Sequence, residues 1–333
     1  MIKALIDEHR ETILNVFWRG LQLAVKDGVT FVIFILAAKF LNPYDFGVYN
    51  YVLAVIFFLI LFGDFGISLA ASKYVAEYQI TNPEKLKYVL FNAGLVILAL
   101  TVLMTAATIL LGPRLLQDKY RYVLYIMPVV FLAPMTSLYD GIYRGLKKFQ
   151  QLAALSTGVS LISLGFVYVL IRQYGLTGAL LAQNLFYLLL FLALAFGYRG
   201  FLFKLNREIL KSISYYALII GIMHVSAFLY YRVDILVLGY FDLVVEIGYY
   251  EIAYKVLMLI QLPFLVFAQV QAPNMVEHFC RGGSTVILQK MNSYMKYATI
   301  ISLLLVLLVG LIIPWALRHF LMEFDLPEPG PAQ

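Results

Sequence analysis

Apolar residues in this chain come in long uninterrupted runs separated by short polar connections. Nine runs stand out, near 18–41, 48–72, 88–111, 122–143, 152–171, 176–198, 213–237, 247–270 and 297–317. A run of about 20 residues, at about 1.5 Å of rise each, crosses a hydrocarbon core of about 30 Å. Strict alternation is absent and Gly, Ala and Ser sit inside the runs, so the pattern predicts helices, not barrel strands. The expectation is an all-α membrane protein with about nine transmembrane helices. Ahead of the first run, residues 1–17 set Lys3, Asp7, Glu8, Arg10 and Glu11 against Ile2, Leu5, Ile6, Ile13, Val16 and Phe17 at helical spacing. That spacing predicts an interfacial amphipathic helix, with no cleavable signal peptide.

The chain also repeats itself at an offset of 201 residues. Gly20, Phe40, Gly47 and Tyr49 match Gly221, Phe241, Gly248 and Tyr250. Each copy follows one run and opens the next. Six runs separate the copies, an even number, so both hairpins should cross in the same direction and belong to parallel lobes. The expected organisation is a six-helix lobe at 1–198, a linker at 199–212, a partial second lobe of three helices at 213–322, and a polar, proline-rich tail at 323–333.

Composition sharpens the class. Hydrophobic residues make up 62% and charged residues 13%, with a mean hydropathy of +0.86. Soluble domains run nearer about 45–50% and about 25%. Cys280 is the only cysteine, which excludes an intrachain disulfide, and His9, His224, His278 and His319 are scattered. No metal cluster or cofactor is expected. The net charge of +6 reflects topology: with the N-terminus inside, sixteen Lys and Arg fall in inner segments and seven in outer ones. The excess predicts a cytoplasmic N-terminus and linker in a multi-pass cytoplasmic-membrane protein, facing anionic lipid and not nucleic acid.

Several stretches resemble a known family. Leu41-Asn42-Pro43-Tyr44-Asp45-Phe46-Gly47-Val48-Tyr49 and Gly63-Asp64-Phe65-Gly66-Ile67-Ser68 are similar to the first hairpin of polysaccharide-type flippases of the multidrug/oligosaccharidyl-lipid/polysaccharide exporter superfamily. Gly141-Ile142-Tyr143-Arg144-Gly145-Leu146-Lys147-Lys148-Phe149 resembles the cytoplasmic end of their fourth helix. Arg232-Val233-Asp234-Ile235-Leu236-Val237-Leu238-Gly239, followed by Ile247-Gly248-Tyr249-Tyr250, resembles their seventh to eighth helices. The resemblance implies a transporter that flips a polyprenyl-diphosphate-linked oligosaccharide by alternating access between two six-helix lobes. Its partners would be that lipid-linked substrate, membrane lipids and polysaccharide-assembly proteins. Family members usually have twelve or fourteen helices, so the second lobe reads as truncated.

Ionisable groups inside the runs are the candidate site, because charge within a bilayer normally faces a cavity or a partner. Arg19, Gln22, Lys26 and Thr30 recur at spacings of three and four and should share a face. Lys26 and Asp64 fall at a common depth and could pair, or Lys26 could meet a diphosphate. Asp27 points elsewhere. His224 lies near mid-membrane, as a proton carrier, a substrate ligand or a packing residue. Glu251 and Lys255 form an i,i+4 pair, and Lys255 is a second cavity cation. Arg232 and Asp234 lie near a span end, where snorkelling competes with a cavity role. Asp140 and Arg144 form an i,i+4 pair at a helix end, and Pro128 and Pro134 can kink the fourth run.

Three other functions compete with the flippase: an ion-coupled small-molecule exporter, a membrane enzyme of polysaccharide synthesis and a non-transporting scaffold. The enzyme would need an acidic or His-rich site in a sizeable loop, but the connections are short and carry no such motif.

Overall fold

The computed structural model describes residues 2–198, 200, 202–255 and 257–258, together with 299, 300, 303, 304, 307 and 310. Its regular elements are all helices. α1 (Ile2–Phe40) is unbroken, so residues 2–17 are continuous with the first span and not a separate element; the stretch able to cross a membrane starts at Phe17. The helix ends where the sequence supplies a new start. Asn42 caps α2 (Pro43–Asp64), accepting from the Asp45 amide at 2.8 Å, and Pro43 occupies the first turn, where its missing N–H costs no bond.

α2 passes into α3 (Ile67–Thr81) through Phe65 and Gly66, both left-handed with φ of 39° and 80°. The second run is therefore one span with a break. After α4 (Pro83–Leu115), α5 (Tyr120–Ile126) and α6 (Pro128–Gly145) form a span bent by 45°. The bend falls at Pro128, whereas Pro134 lies within α6 without interrupting it. α7 (Phe149–Gly197) contains 49 residues, which as a straight rod would measure about 74 Å. Instead Gly175 turns the chain at φ 54° and ψ −131°, and Gln151 Nε2 near one end donates to the Gly197 carbonyl at the other, 3.4 Å away. α7 is a hairpin of two antiparallel limbs, matching the separate runs 152–171 and 176–198. α8 (Arg207–Tyr240), capped by Asn206, follows, and the chain is helical again over 244–255.

Among the described residues five helices, and the bent α5–α6 pair as a sixth, are long and apolar enough to cross a membrane, and α7 doubles back within itself. The runs 247–270 and 297–317 lie largely outside the described residues. Contacts fix the two ends. Arg19 with Asp140, Lys85 with Glu208, and Gln151 with Gly197 gather at one end, which holds most of the Lys and Arg; Lys119 with Asp242, and the Gly175 turn, lie at the other. α8 runs antiparallel to α2, since Gly221 packs on Phe65 and Gly239 on Tyr51. α1 is also antiparallel to α2, with the Phe34 and Phe46 rings in contact at 5.3 Å. α1 and α8 consequently point the same way, as a parallel repeat requires.

Small residues set the closest seams. Gly141 and Gly145, four apart on α6, press against the backbone carbonyls of Ser68 and Ser72 on α3, with no room for a Cβ. Such spacing lets helix backbones approach in a membrane, where dispersion and not water release holds helices together. Around this seam Ile67, Val75, Ile97, Leu138, Ile142 and Leu152 are buried, with Ile209 and Ile213 of α8 in the same cluster. The chain forms two compact units, Met1–Ile247, described above, and Gly248–Gln333, of which residues 248–255 form the start.

Candidate functional site

The stripe on α1 divides. Arg19 Nη1 donates to Gln22 at 2.6 Å and to Asp140 at 3.0 Å, while Gln22 Nε2 donates to Ser156 on α7 at 3.1 Å. Asp140 also holds Arg144, at 2.6 Å, so the expected i,i+4 pair is present and extends across helices to α1. One turn on, Lys26 and Thr30 are exposed, with Thr30 donating back to the Lys26 carbonyl at 2.8 Å. α1 packs on α7 through buried Gln22 and Val29, and Lys26 stands between these two at the rim.

Asp64 does not pair with Lys26. No ion pair joins them among the described residues; the Asp64 carboxylate instead turns along its own chain and accepts from the Ser68 amide at 3.1 Å and from the Ser68 hydroxyl. The left-handed Phe65–Gly66 break makes this possible, because Asp64 then caps the first turn of α3. The helix that packs on this break is α8, through Ala217, Ile220 and Gly221, one turn before His224. Lys26 and Asp64 share a depth, but depth alone does not fix which way a side chain points.

The remaining candidates are spread out. Arg232 and Asp234 are half-buried and engaged, and Asp234 Oδ1 accepts from the Ile235 amide. Gly47 lies against the Val244 backbone. Buried Tyr49 accepts from Gln183 of α7 at 3.0 Å. Gly66 supplies the break, and Arg144 and Gly145 belong to the Asp140 cluster and the α3–α6 seam. In the second unit, Lys255 is half-buried and the Tyr250 and Tyr254 rings stack.

Two clusters are absent from the expectations. Lys119, 2% exposed, sits between Asp118 at 3.2 Å and Asp242, at the turn after α8. Asn92, fully buried, spans the linker: its amide donates to the carbonyls of Tyr88 and Lys204, and its side-chain oxygen accepts from the Asn206 amide at 2.9 Å. Beside it Leu202 donates to the Lys87 carbonyl, and buried Tyr198 donates to Gly200; burial pushes the Tyr198 phenol up, keeping it a donor. A lone Asn inside an apolar run is the signal that sequence offers for this cluster. Between α2, α4 and α8 lies an apolar groove of about 510 Å³, lined by Tyr51, Phe58, Phe62, Leu111, Leu236 and Tyr240 among others. No cluster of metal-ligating side chains occurs among the described residues.

Solved structures share this arrangement. One, described as the inward-facing conformation of a multidrug resistance MATE family transporter of the MOP superfamily, aligns with a TM-score of 0.65 at 15% identity, covering 91% of this chain and 73% of that one. A MOP superfamily transporter from Pyrococcus furiosus Vc1 (DSM3638), described as having a reversed binding-pocket polarity that suggests a different function, aligns at 0.56 with 18% identity, covering 93% and 73%. An outward-facing MATE conformation aligns at 0.53 with 17% identity, covering 93% and 71%. No curated protein matches in sequence. The family model described as "Polysaccharide biosynthesis protein" matches residues 13–279, most of the chain, and this multi-pass membrane protein therefore belongs to that family.

Proposed function

We propose that this protein is a flippase, moving a polyprenyl-diphosphate-linked oligosaccharide across the cytoplasmic membrane by alternating access. The observation that carries the reading is Lys26: a cation about 12 Å inside an apolar span, exposed and with no ion pair among the described residues. An ammonium placed there offers a charge-assisted bond to a diphosphate, strengthened where water is scarce. Membership of the polysaccharide biosynthesis family supports a polysaccharide precursor as the cargo. The shared direction of α1 and α8 supports two parallel lobes, and the apolar groove between α2, α4 and α8 suits a prenyl chain held at the lipid side. By the positive-inside rule the Lys- and Arg-rich end would face the cytoplasm, with the N-terminus and the linker on that side. Lys255 would meet the diphosphate at a later stage, and polysaccharide-assembly proteins would receive the product. No covalent chemistry is required of the protein.

The test is translocation of a polyprenyl-diphosphate oligosaccharide in vesicles containing the full protein at matched expression. Lys26→Ala should lower the rate by about tenfold, the loss of one charge-assisted bond of roughly 1.5 kcal/mol, while Lys26→Arg retains part of it. Equal rates for Lys26→Ala and wild type would sink the assignment.

A further inference from the structure

The geometry points to a proton-binding site shared by Asp64, at the break between α2 and α3, and His224 of α8. Both lie within membrane-crossing stretches, where an ionisable group needs a partner or a function. Their helices meet at this level. Gly66 packs on the Ala217 carbonyl and on Ile220, Gly221 packs on Phe65, and further along the Phe228 and Phe58 rings touch at 5.6 Å. His224 falls between those contacts, one turn beyond Gly221, on the α8 face that carries Ala217, Ile220 and Gly221. Asp64 lies next to Phe65, the residue on which Gly221 packs, so the same helix contact brings the backbones of Asp64 and His224 together.

The hydrogen bonding leaves capacity for a proton. Ser68 occupies one Asp64 oxygen, Oδ1, through both its amide and its hydroxyl. The Gly66 backbone amide also turns toward the carboxylate, but no other side chain among the described residues donates to it, and neither ring nitrogen of His224 has a hydrogen-bond partner among them. With one proton the pair is neutral overall, either as carboxylate with imidazolium or as carboxylic acid with imidazole. Without it, a net negative charge stays within the span. The surroundings add no competing partner: α4 presents Thr101 and α6 presents Val130 and Pro134 beside Gly63, while the nearest charges on α6, Asp140 and Arg144, are paired with each other and Arg19. Lys73 of α3 is held over the Tyr74 and Tyr216 rings, at 4.7 and 4.4 Å. Because Asp64 sits at a break in one span and His224 on a helix of the other repeat, occupancy by a proton would govern how tightly α8 rests on that break.

The experiment is infrared difference spectroscopy of the full chain in lipid across a pH titration, which needs no oligosaccharide and so stands or falls apart from the flippase reading. A protonated carboxylic acid band is expected to titrate, to vanish in Asp64→Asn, and to shift its midpoint in His224→Gln. His224→Gln leaves the Ser68 cap intact, so it decides the matter even if Asp64→Asn fails to fold. A band that persists in Asp64→Asn, or an unchanged midpoint in His224→Gln, overturns the site. So does a response driven by Na⁺ at constant pH and not by protons.

Discussion

Two charged clusters bracket the helices, and they are built from opposite stoichiometries. At the Lys- and Arg-rich end, one carboxylate, Asp140, holds two guanidiniums, Arg19 and Arg144; at the other, two carboxylates, Asp118 and Asp242, hold one ammonium, Lys119. Asp140, Arg19 and Arg144 are 21–28% exposed, whereas Asp118 and Asp242 are 67% and 65% exposed around a buried Lys119. The Asp140 cluster ties α1 to α6, Gln22 extends it to α7, and its partly buried members favour a lasting contact. The Lys119 cluster ties the α4–α5 connection to the turn after α8. Its water-exposed carboxylates lower the cost of opening that contact.

The largest effect should follow from removing the shared carboxylate. Asp140→Ala strands two partly buried cations, and because they keep some solvent the expected loss is about 2–3 kcal/mol, below the roughly 3–5 kcal/mol of a fully buried pair. A fall in the thermal melting point of the purified protein measures it; an unchanged melt would mean the two arginines find other partners. An intermediate effect belongs to the Lys119 end, where Gly239 has no space for a Cβ beside Tyr51. Gly239→Val should cost about 1–3 kcal/mol through overpacking and raise thiol labelling of Val244→Cys in a Cys280→Ser background. Adding Tyr51→Ala should reverse the labelling, and failure to do so would show that the seam does not govern closure. The smallest effect is Lys119→Met. Its carboxylates remain hydrated, so a change of about 1 kcal/mol or less is expected, seen as a modest rise in the same labelling that fades at high salt. If Lys119→Met matched Asp140→Ala in melting, the contrast between a permanent and a releasable cluster would be lost.

Much of this is legible in the chain because a bilayer imposes one rule on every span. Run lengths anticipate the long apolar helices among the described residues, including both limbs of α7, which the turn at Gly175 separates although helical hydrogen bonding continues on either side of it. The repeat at offset 201 anticipates that α1 and α8 run in the same direction. What escapes the sequence is lateral. Spacing places Arg19, Gln22, Lys26 and Thr30 together, yet Arg19 and Gln22 meet Asp140 and Ser156 while Lys26 remains exposed, because spacing along one helix does not say which neighbour its face meets at each level. A cross-helix cation for Asp64 presumes an unbroken helix; once Phe65 turns left-handed, Ser68 comes within reach of its carboxylate. Lys119 reads only as a topology charge, since nothing in its own connection shows that Asp242, 123 residues away, returns to it.

The turn at Gly175 has a consequence for how the chain is made. Its two limbs are joined with almost no intervening loop, and Gly178 already lies against the Leu170 carbonyl. Arg172 is the only basic residue near the tip, so flanking charge gives the second limb little orientation of its own. The limbs are suited to leave the translocon as one preformed hairpin, the second inheriting its direction from the first. An epitope inserted at the tip would then disturb membrane integration during synthesis before it disturbed the finished fold.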